Sequence, residues 1–196
     1  MKTFEKPNII LIGGGGHCMS VIDVIEQQNK YKIRGILDNI PQKDVLGYPI
    51  LGGDDLIPVL SDDNTFFLIT VGQIKSYAIR EKIANFLKTN KVKLATIISP
   101  IAYVSKHAVI EEGTVVMHGA IINAGAHIGK HCIVNTKANI EHGVQIEDFC
   151  HISTCTVVNG DSVICRGTFV GSNATISNGI RVMANSVIGA GDFIKR

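Results

Sequence analysis

The chain has 196 residues, a formal net charge of +2 and 18% charged residues, and no basic stripe runs along it, which argues against binding to nucleic acid. No apolar run approaches the roughly 20 residues that span a membrane, and the first apolar run is too brief for a signal peptide. Five cysteines, an odd number without paired short spacings, fit a reducing compartment. We therefore expect a soluble cytoplasmic protein with no membrane span.

The N-terminal part of the chain has the pattern of an α/β unit. Residues 8–12 predict a buried strand, residues 19–28 an amphipathic helix and residues 32–37 a second strand. A strand, a glycine-rich turn, a helix and a strand in this order open a Rossmann-like domain that binds nucleotides. The elements predicted after these are a short helix near 54–60, a strand over 66–71, a helix over 77–88 and a strand over 95–98.

Four glycines and His17 fill the turn after the first strand, and Asp38 follows the second strand. Backbone amides in such a turn and at the helix N-terminus face a phosphate. The dinucleotide-binding pattern needs a third glycine where this chain has Cys18, so we expect a phosphate-bearing ligand rather than a nicotinamide cofactor. A purely structural turn is the alternative. The four glycines are Gly13, Gly14, Gly15 and Gly16.

The rest of the chain repeats every six residues. Steps of six from Val104 meet Val or Ile at every position up to Ile194, and the residues two places earlier are mostly small. A period of six fits neither an α-helix nor a hairpin array, but it is typical of a three-sided parallel β-helix with about 18 residues per coil. The prediction is an α/β domain over residues 1–98 and a β-helix over 99–196, joined by a packed boundary near Pro100. One predicted inner column is Val104, Ile122, Ile140, Val158, Ile176 and Ile194.

Five of the seven histidines fall between residues 118 and 151, within this repeat. His142 lies on a corner, and Gly160 lies 18 residues later, directly over it in the next coil. A corner imidazole beneath an open glycine amide offers a general base and an oxyanion donor, although a solvated histidine without function is the alternative. A zinc site is a further alternative. Because the four-residue spacing of His127 and His131 suits a helix rather than a hexad, we expect no metal.

The combined motifs resemble one family. The glycine-rich turn ending in His17, the short α/β unit, and a hexad repeat with Asn135-Thr136, Ile140-Glu141-His142 and His151-Ile152-Ser153 are similar to the bacterial sugar acetyltransferases of the PglD and NeuD type. The resemblance covers essentially the whole chain. It implies a left-handed β-helix and a homotrimer with active sites between subunits. It also implies acetyl-CoA as cosubstrate in the groove between adjacent β-helices and a nucleotide-linked amino sugar on the N-terminal domain.

The resemblance also implies catalytic roles. His142 matches the general base, which takes a proton as the 4-amino group of the sugar attacks the thioester carbonyl, and Asn135 matches an active-site polar residue. Family members often carry an acidic residue directly after this histidine, where this chain has Gly143. We expect Glu141, or a side chain of the neighbouring subunit, to replace it, since the base would otherwise be weaker.

Binding residues follow from the same resemblance. His151 matches a residue near the thioester, and the amide of Gly160 matches a contact to the acetyl carbonyl. The glycine-rich loop with His17 matches the part that receives the nucleotide-linked sugar, and Asp38 suits its uridine. The matching positions along the CoA groove are Gly189 and Ala190.

The leading functional hypothesis is N-acetylation of a UDP-linked 4-amino-4,6-dideoxy sugar. The alternatives are O-acetylation of a sialic-acid-like sugar and a nonenzymatic trimeric scaffold that binds a nucleotide. The register of His142, His151 and Gly160 argues against the scaffold. A deprotonated amine is a better nucleophile than a hydroxyl, which slightly favours N-acetylation over O-acetylation. Many relatives end in a Gly-x-Pro tail that closes over CoA, whereas this sequence stops at Lys195-Arg196, so we expect a more open CoA pocket.

Overall fold

The structure of the chain, a computed structural model, describes residues 6–40 and 43–195, so Arg196 lies outside the described residues. The N-terminal part contains one sheet of the strand order β3-β4-β2-β1-β5-β6, in which β3 runs antiparallel to β4 and the other pairs are parallel. Its elements are β1 (Asn8–Ile12), α1 (Gly16–Gln28), β2 (Lys32–Leu37), β3 (Asp44–Val45), β4 (Tyr48–Gly52), a 3-10 turn (Asp54–Leu56), α2 (Ile57–Leu60), β5 (Thr65–Ile69), α3 (Ala78–Thr89) and β6 (Lys93–Leu94).

The central strand β1 is buried on both of its faces. Ile9 and Leu11 point to the core that contains the apolar residues of α1, whereas Ile10 and Ile12 point to the core that contains Ile83 of α3. This alternation follows from the two-residue period of a strand, and it places one helix on each side of the sheet. The predicted Rossmann-like α/β domain is thereby confirmed.

The second part of the chain is a parallel β-helix. Its two-residue strands form three sheets of six, six and five strands, which we call faces 1, 2 and 3. Face 1 holds β7 (Ile97–Ile98), β10 (Val115–Val116), β13 (Ile133–Val134), β16 (His151–Ile152), β19 (Phe169–Val170) and β22 (Val187–Ile188). Face 2 holds β8 (Tyr103–Val104), β11 (Ile121–Ile122), β14 (Asn139–Ile140), β17 (Val157–Val158), β20 (Thr175–Ile176) and β23 (Phe193–Ile194). Face 3 holds β9 (Val109–Ile110), β12 (His127–Ile128), β15 (Gln145–Ile146), β18 (Val163–Ile164) and β21 (Arg181–Val182).

The predicted inner column is confirmed. Val104, Ile122 and Ile140 pair in register on face 2, and Val158, Ile176 and Ile194 continue the same column. The β-branched side chains along it are buried from residue 122 to residue 176, so each coil covers the apolar interior of the next one.

The corners of the β-helix share one backbone conformation. From position 113 to position 191, the residue three places after each inward Val or Ile has a positive φ between 54° and 77°. Glycine adopts this conformation without steric cost, but non-glycine residues such as Lys137 and Asp161 hold it here as well. Between positions 114 and 174 the residue that follows is buried and mostly small, and several hydroxyls there, including that of Thr114, donate to a carbonyl of the next coil. The predicted tight corners therefore need a left-handed residue followed by a small one.

The predicted strand over residues 95–98 is wrong. The chain there divides between two sheets: Ala95 N donates to Phe67 O in the α/β domain at 2.9 Å, whereas Ile97 N donates to Thr114 O in the β-helix at 3.0 Å. The first β-helix strand is therefore β7, which lies before Pro100. The hairpin of β3 and β4 was not predicted, because its strands interrupt a segment dominated by turn residues.

The joint between the two parts is packed and polar. Apolar residues of α1 share one core with Ile97 and Val115 of the β-helix. At the edge of this core, His118 Nε2 lies 2.8 Å from Asp23 Oδ2, and its Nδ1 lies 2.7 Å from Ser99 Oγ. These contacts fix the α/β domain against face 1.

Candidate active site

A pocket of about 430 Å³ opens where β1, β2 and β5 end. Ligands of open α/β sheets bind at the carboxyl ends of the parallel strands, because the loops there diverge and the helix N-termini point inward. Five of the six residues that the sequence predicted for substrate binding line it, namely Gly13, Gly15, Gly16, His17 and Asp38. Residues that were missed are Asn39, Asp54, Thr70 and Gly72. Each of these residues lies shortly after a strand of the sheet, and this position could have identified them. Asn39 follows β2, Asp54 follows β4, and Thr70 and Gly72 follow β5.

The loop at the floor of this pocket is held by Asp38. Its carboxylate accepts hydrogen bonds from Gly14 N at 2.6 Å and from Ile40 N at 2.8 Å. Gly13 has a φ of 102°, and a Cβ there would lie 2.5 Å from the side chain of Val71. A side chain at position 13 is therefore excluded, and Asp38 joins the turns after β1 and β2 into one wall.

His17 is the second residue of α1, and it faces this pocket. Its Nε2 is buried and has no hydrogen-bond partner among residues 6–40 and 43–195. Burial, together with the positive charge of Arg80, lowers the pKa of His17 to about 3. The imidazole is therefore neutral at physiological pH, and its free nitrogen can bind a polar ligand atom.

Arg80 of α3 is a buried cation at the joint. Its guanidinium donates hydrogen bonds to the backbone oxygens of Val71 and His131, the latter at 2.7 Å. Burial lowers the pKa of Arg80 to about 10, so the side chain remains positively charged at neutral pH. No sequence signal marked this residue, because its partners are backbone oxygens, one of them in its own domain and the other in the β-helix.

His151, which is buried, and Asn135, which is half-buried, form a second polar group next to the joint. His151 Nδ1 lies 2.6 Å from the carbonyl oxygen of Gln73, and its Nε2 lies 3.2 Å from Asn135 Nδ2. Because a carbonyl only accepts, Nδ1 carries the proton and Nε2 accepts from the Asn135 amide. Burial lowers the pKa of His151 to about 4, so this imidazole is neutral. Gln73, which the sequence analysis missed, links it to the α/β domain.

His142 lies on the corner between faces 2 and 3, under Gly160. A Cβ at position 160 would lie 2.4 Å from Cε1 and 2.7 Å from Nε2 of the imidazole. The side chain of His142 is 64% exposed in the single chain. The structure therefore brings the predicted base and the predicted glycine amide together, with one edge of the ring open.

Two carboxylates lie near this corner, and they differ in their partners. Glu141 accepts hydrogen bonds from Asn139 Nδ2 at 2.9 Å and from Asn123 Nδ2 at 3.2 Å. Asp161 of the next coil lies with Oδ1 4.0 Å from His142 Nδ1. The carboxylate beside the imidazole is thus that of Asp161, which the sequence analysis missed although it lies 18 residues after Gly143.

The predicted CoA positions lie on another corner. Gly189 and Ala190 are exposed at the last coil, between faces 1 and 2, and they pack over Gly171 of the coil before. Asn135 belongs to this same corner, three coils earlier. Within one chain, the width of face 2 separates these residues from His142.

The other histidines of the repeat have separate surroundings. His127 Nε2 lies 2.8 Å from Glu111 Oε1, whereas His131 is buried and stacks on Phe149. In the part of the chain that the structure describes, no group of three His, Cys, Asp or Glu side chains is arranged to hold a metal ion. No helix within residues 6–40 and 43–195 has the length and apolar character needed to cross a membrane.

Comparison with known proteins identifies relatives of both domains. Residues 8–87 match the family model of the PglD N-terminal domain. UDP-N-acetylbacillosamine N-acetyltransferase of Bacillus subtilis (strain 168) is 36% identical over 115 residues. The alignment takes in 56% of this chain, and the chain spans 51% of the length of that curated relative.

Two solved structures are similar over nearly the whole chain. The acetyltransferase domain of PglB from Neisseria gonorrhoeae FA1090, in complex with acetyl coenzyme A, has a TM-score of 0.90 and 29% identity, covering 97% of this chain and 93% of that one. A variant of perosamine N-acetyltransferase from Caulobacter crescentus, in complex with CoA and GDP-perosamine, has a TM-score of 0.91 and 28% identity, covering 96% of this chain and 89% of that one. These matches confirm that the β-helix is left-handed. Residues 8–87 thus match the PglD N-terminal domain family, and the chain as a whole is similar in fold to these two acetyltransferase structures.

Proposed function

We propose that this protein transfers the acetyl group of acetyl-CoA to the 4-amino group of a UDP-linked amino-dideoxy sugar, with His142 as the general base. The observation that carries the proposal is the contact of the exposed His142 imidazole with Gly160 on one corner of the β-helix. The similar proteins support the reaction class, because two of them are sugar N-acetyltransferases and the solved structures are complexes with CoA or acetyl-CoA.

The nucleotide part of the substrate fits the pocket at the ends of β1, β2 and β5. Its floor offers the turn before α1, whose amides suit a diphosphate, and Asp38 beside them, whose remaining acceptor capacity suits the N–H group of a uracil. The free Nε2 of His17 can bind the sugar end of the ligand. The pocket volume of about 430 Å³ is in the range of small-ligand sites.

In the proposed reaction, the neutral 4-amino group attacks the thioester carbonyl and a tetrahedral intermediate forms. His142 takes the proton that the nitrogen loses, and the backbone N–H of Gly160 is placed to donate to the developing oxyanion. When the C–S bond breaks, the protonated imidazole can return the proton to the leaving thiolate of CoA. The products are the N-acetylated sugar nucleotide and free CoA.

A homotrimer is part of the proposal, because one chain does not bring the parts of the site together. His142 is separated by the width of face 2 from Asn135, His151 and the nucleotide pocket. Face 2 also exposes the large apolar side chains of Tyr103, Ile121 and Phe193, which have 59%, 41% and 57% exposure. A neighbouring copy packed near this face would cover them and bring its own pocket towards His142. Acetyl-CoA would lie in the groove between two copies, along Gly189 and Ala190.

The expected location is the cytoplasm. All five cysteines are free thiols, and four of them are buried. A compartment that keeps thiols reduced fits this set, and acetyl-CoA and nucleotide-linked sugars are available there.

The experiment is a thiol-release assay with the purified protein, acetyl-CoA and a panel of UDP- and GDP-linked 4-amino sugars. The expected result is release that requires a nucleotide-linked amino sugar and that falls at least 1,000-fold in His142→Ala, with the trimer and the melting temperature unchanged. Wild-type rates in His142→Ala would remove the base assignment. No release by a folded trimer with any acceptor would remove the proposed reaction.

A further inference from the structure

Gly143 leaves a space on the catalytic corner, and the carboxylate of the next coil fills it. A Cβ at position 143 would lie 2.2 Å from Asp161 Oδ1, which is far inside van der Waals contact. The same oxygen lies 4.0 Å from His142 Nδ1. The absence of a side chain at position 143 is therefore what permits Asp161 to approach the imidazole.

The backbone holds Asp161 in this place. Its amide donates to the carbonyl oxygen of His142 at 3.0 Å, and its φ of 59° is the left-handed conformation common to all these corners. Asp and Asn adopt this conformation more readily than most residues. The position of the carboxylate thus follows from the coil geometry and does not depend on a long side chain.

Few other charges surround His142. Glu141 on its own coil is held by Asn123 and Asn139 and points to face 2. The corner one coil below carries Ala124 and Gly125, which are uncharged, and Lys106 and His107 lie a further coil away. Asp161 is consequently the carboxylate that the geometry directs at Nδ1.

We propose that Asp161 is the positioning residue of the general base, taking the place of an acidic residue at position 143. The inference rests on the proposed function. Asp161 accepts the Nδ1 proton of His142, which leaves Nε2 with the lone pair that takes the proton of the attacking amine. An approach of about 1 Å from the observed separation makes this a hydrogen bond, and an acyl donor in the subunit groove would exclude the water that competes for it. Asp161 does not touch the substrate.

The first test does not depend on activity. Nitrogen-15 NMR of the histidine side chains in the wild-type protein, at a pH where His142 is neutral, reports which ring nitrogen carries the proton. His142 is assigned by comparison with His142→Ala. The expected result is a predominant Nδ1–H form in the wild type and a shift towards the Nε2–H form in Asp161→Ala. A predominant Nε2–H form in the wild type, or the same tautomer in both proteins, would overturn the proposal.

The second test is kinetic. Asp161→Ala and Asp161→Asn should lower kcat about 10- to 100-fold and leave the KM values for acetyl-CoA and sugar within about 3-fold, because an orienting group acts on the base and not on binding. Asp161→Asn keeps the preference for a left-handed backbone, so a loss in both variants cannot come from misfolding of the corner. Asn185→Ala, at an equivalent corner position with a φ of 62°, is the matched control and should retain wild-type kcat.

Moving the carboxylate gives a test with rescue. Gly143→Asp alone would clash with Asp161 and should lose activity. The double variant Gly143→Asp with Asp161→Gly removes the clash, and its kcat should be at least 10-fold higher than that of Asp161→Gly alone. Failure of the double variant to exceed Asp161→Gly would contradict the proposal. If the wild type transfers acetyl groups but the Asp161 variants equal it, only this inference fails. If the wild type transfers none, the proposed function fails and the NMR result decides the role of Asp161.

Discussion

Gly160 covers the imidazole of His142 so closely that no side chain fits between them. A methyl group at position 160 would lie 2.4 Å from Cε1 and 3.1 Å from Nδ1 of the ring. Since the imidazole is exposed on its other side, it can rotate away from such a group without disturbing the interior. Gly160 therefore determines the position of the imidazole, whereas the stability of the coil depends little on which residue occupies position 160.

Gly160→Ala should accordingly separate activity from stability. We expect the imidazole to move by about 1 Å or more and acetyl transfer to fall about 100-fold, because a general base acts only within hydrogen-bonding reach of the proton. The melting temperature should change by less than about 3 °C. Asn178→Ala, at the exposed equivalent position one coil above, is the control and should keep most of the activity. Wild-type activity in Gly160→Ala would mean that the observed stacking is not used in catalysis.

Ile140→Asp should unfold the β-helix. Ile140 is fully buried and pairs with Ile122 and Val158 in the inner column. A carboxylate placed there finds no partner, and burying an unpaired charge or protonating it costs several kcal/mol. We expect loss of the cooperative thermal transition or a melting temperature lower by more than about 15 °C, measured by circular dichroism. Ile140→Val, which keeps the branched shape, should cost only about 1 kcal/mol. A stable Ile140→Asp protein would contradict the packed interior.

The hexad pattern made the β-helix predictable because each Val or Ile in it must point into the interior, which leaves only one register for its coil. A shift of one residue would turn the whole apolar column to the surface, so Ile140 and its equivalents determine the register of every coil. The same arithmetic placed Gly160 over His142, and it would also have placed Asp161 over Gly143. That contact was not predicted, because the family resemblance implies an acidic residue directly after His142 in the chain, whereas Asp161 lies one coil away.

Contacts between the domains could not be read from local patterns. Arg80 and Gln73 bind backbone oxygens of residues that lie more than 50 positions away, and no periodicity marks either side chain. The segment around Thr96 shows a different limit. Residues 95–98 have a composition that fits one strand, but the chain passes there from one sheet into another, which only the pairing partners reveal.

Ile121→Glu should prevent trimer formation if face 2 lies between subunits. Ile121 is 41% exposed in the single chain and pairs beside Tyr103 on this face. A carboxylate buried against an apolar neighbour is unfavourable, so sedimentation velocity should show a monomer and acetyl transfer should be lost. Val109→Glu on face 3, at the equivalent outward position and with 55% exposure, should leave the trimer intact. A trimeric and active Ile121→Glu protein would place the subunit contact elsewhere.

As the pH is lowered, the free energy of unfolding should begin to fall at a pH well above the one at which carboxylates titrate. Burial, as the main cause, lowers the pKa of His17 to about 3 and that of His131 and His151 to about 4. All three are neutral in the folded protein, whereas they take up protons near pH 6.5 once unfolded. Between about pH 6.5 and pH 4 the unfolded state therefore binds more protons, and the free energy of unfolding falls as the pH falls.

His131→Asn tests this linkage away from the substrate pocket. Asn accepts the left-handed backbone that His131 holds with a φ of 54°, but it cannot titrate. The variant should be less stable at pH 7.5, since the stacking on Phe149 is lost, yet its free energy of unfolding should decline less between pH 7.5 and pH 5. The difference for one such group is bounded at about 3 kcal/mol and is fully developed only near pH 4. Urea unfolding at several pH values measures it, with the exposed His107→Asn as the matched control. A decline as steep as that of the wild type would show that His131 does not couple protonation to unfolding.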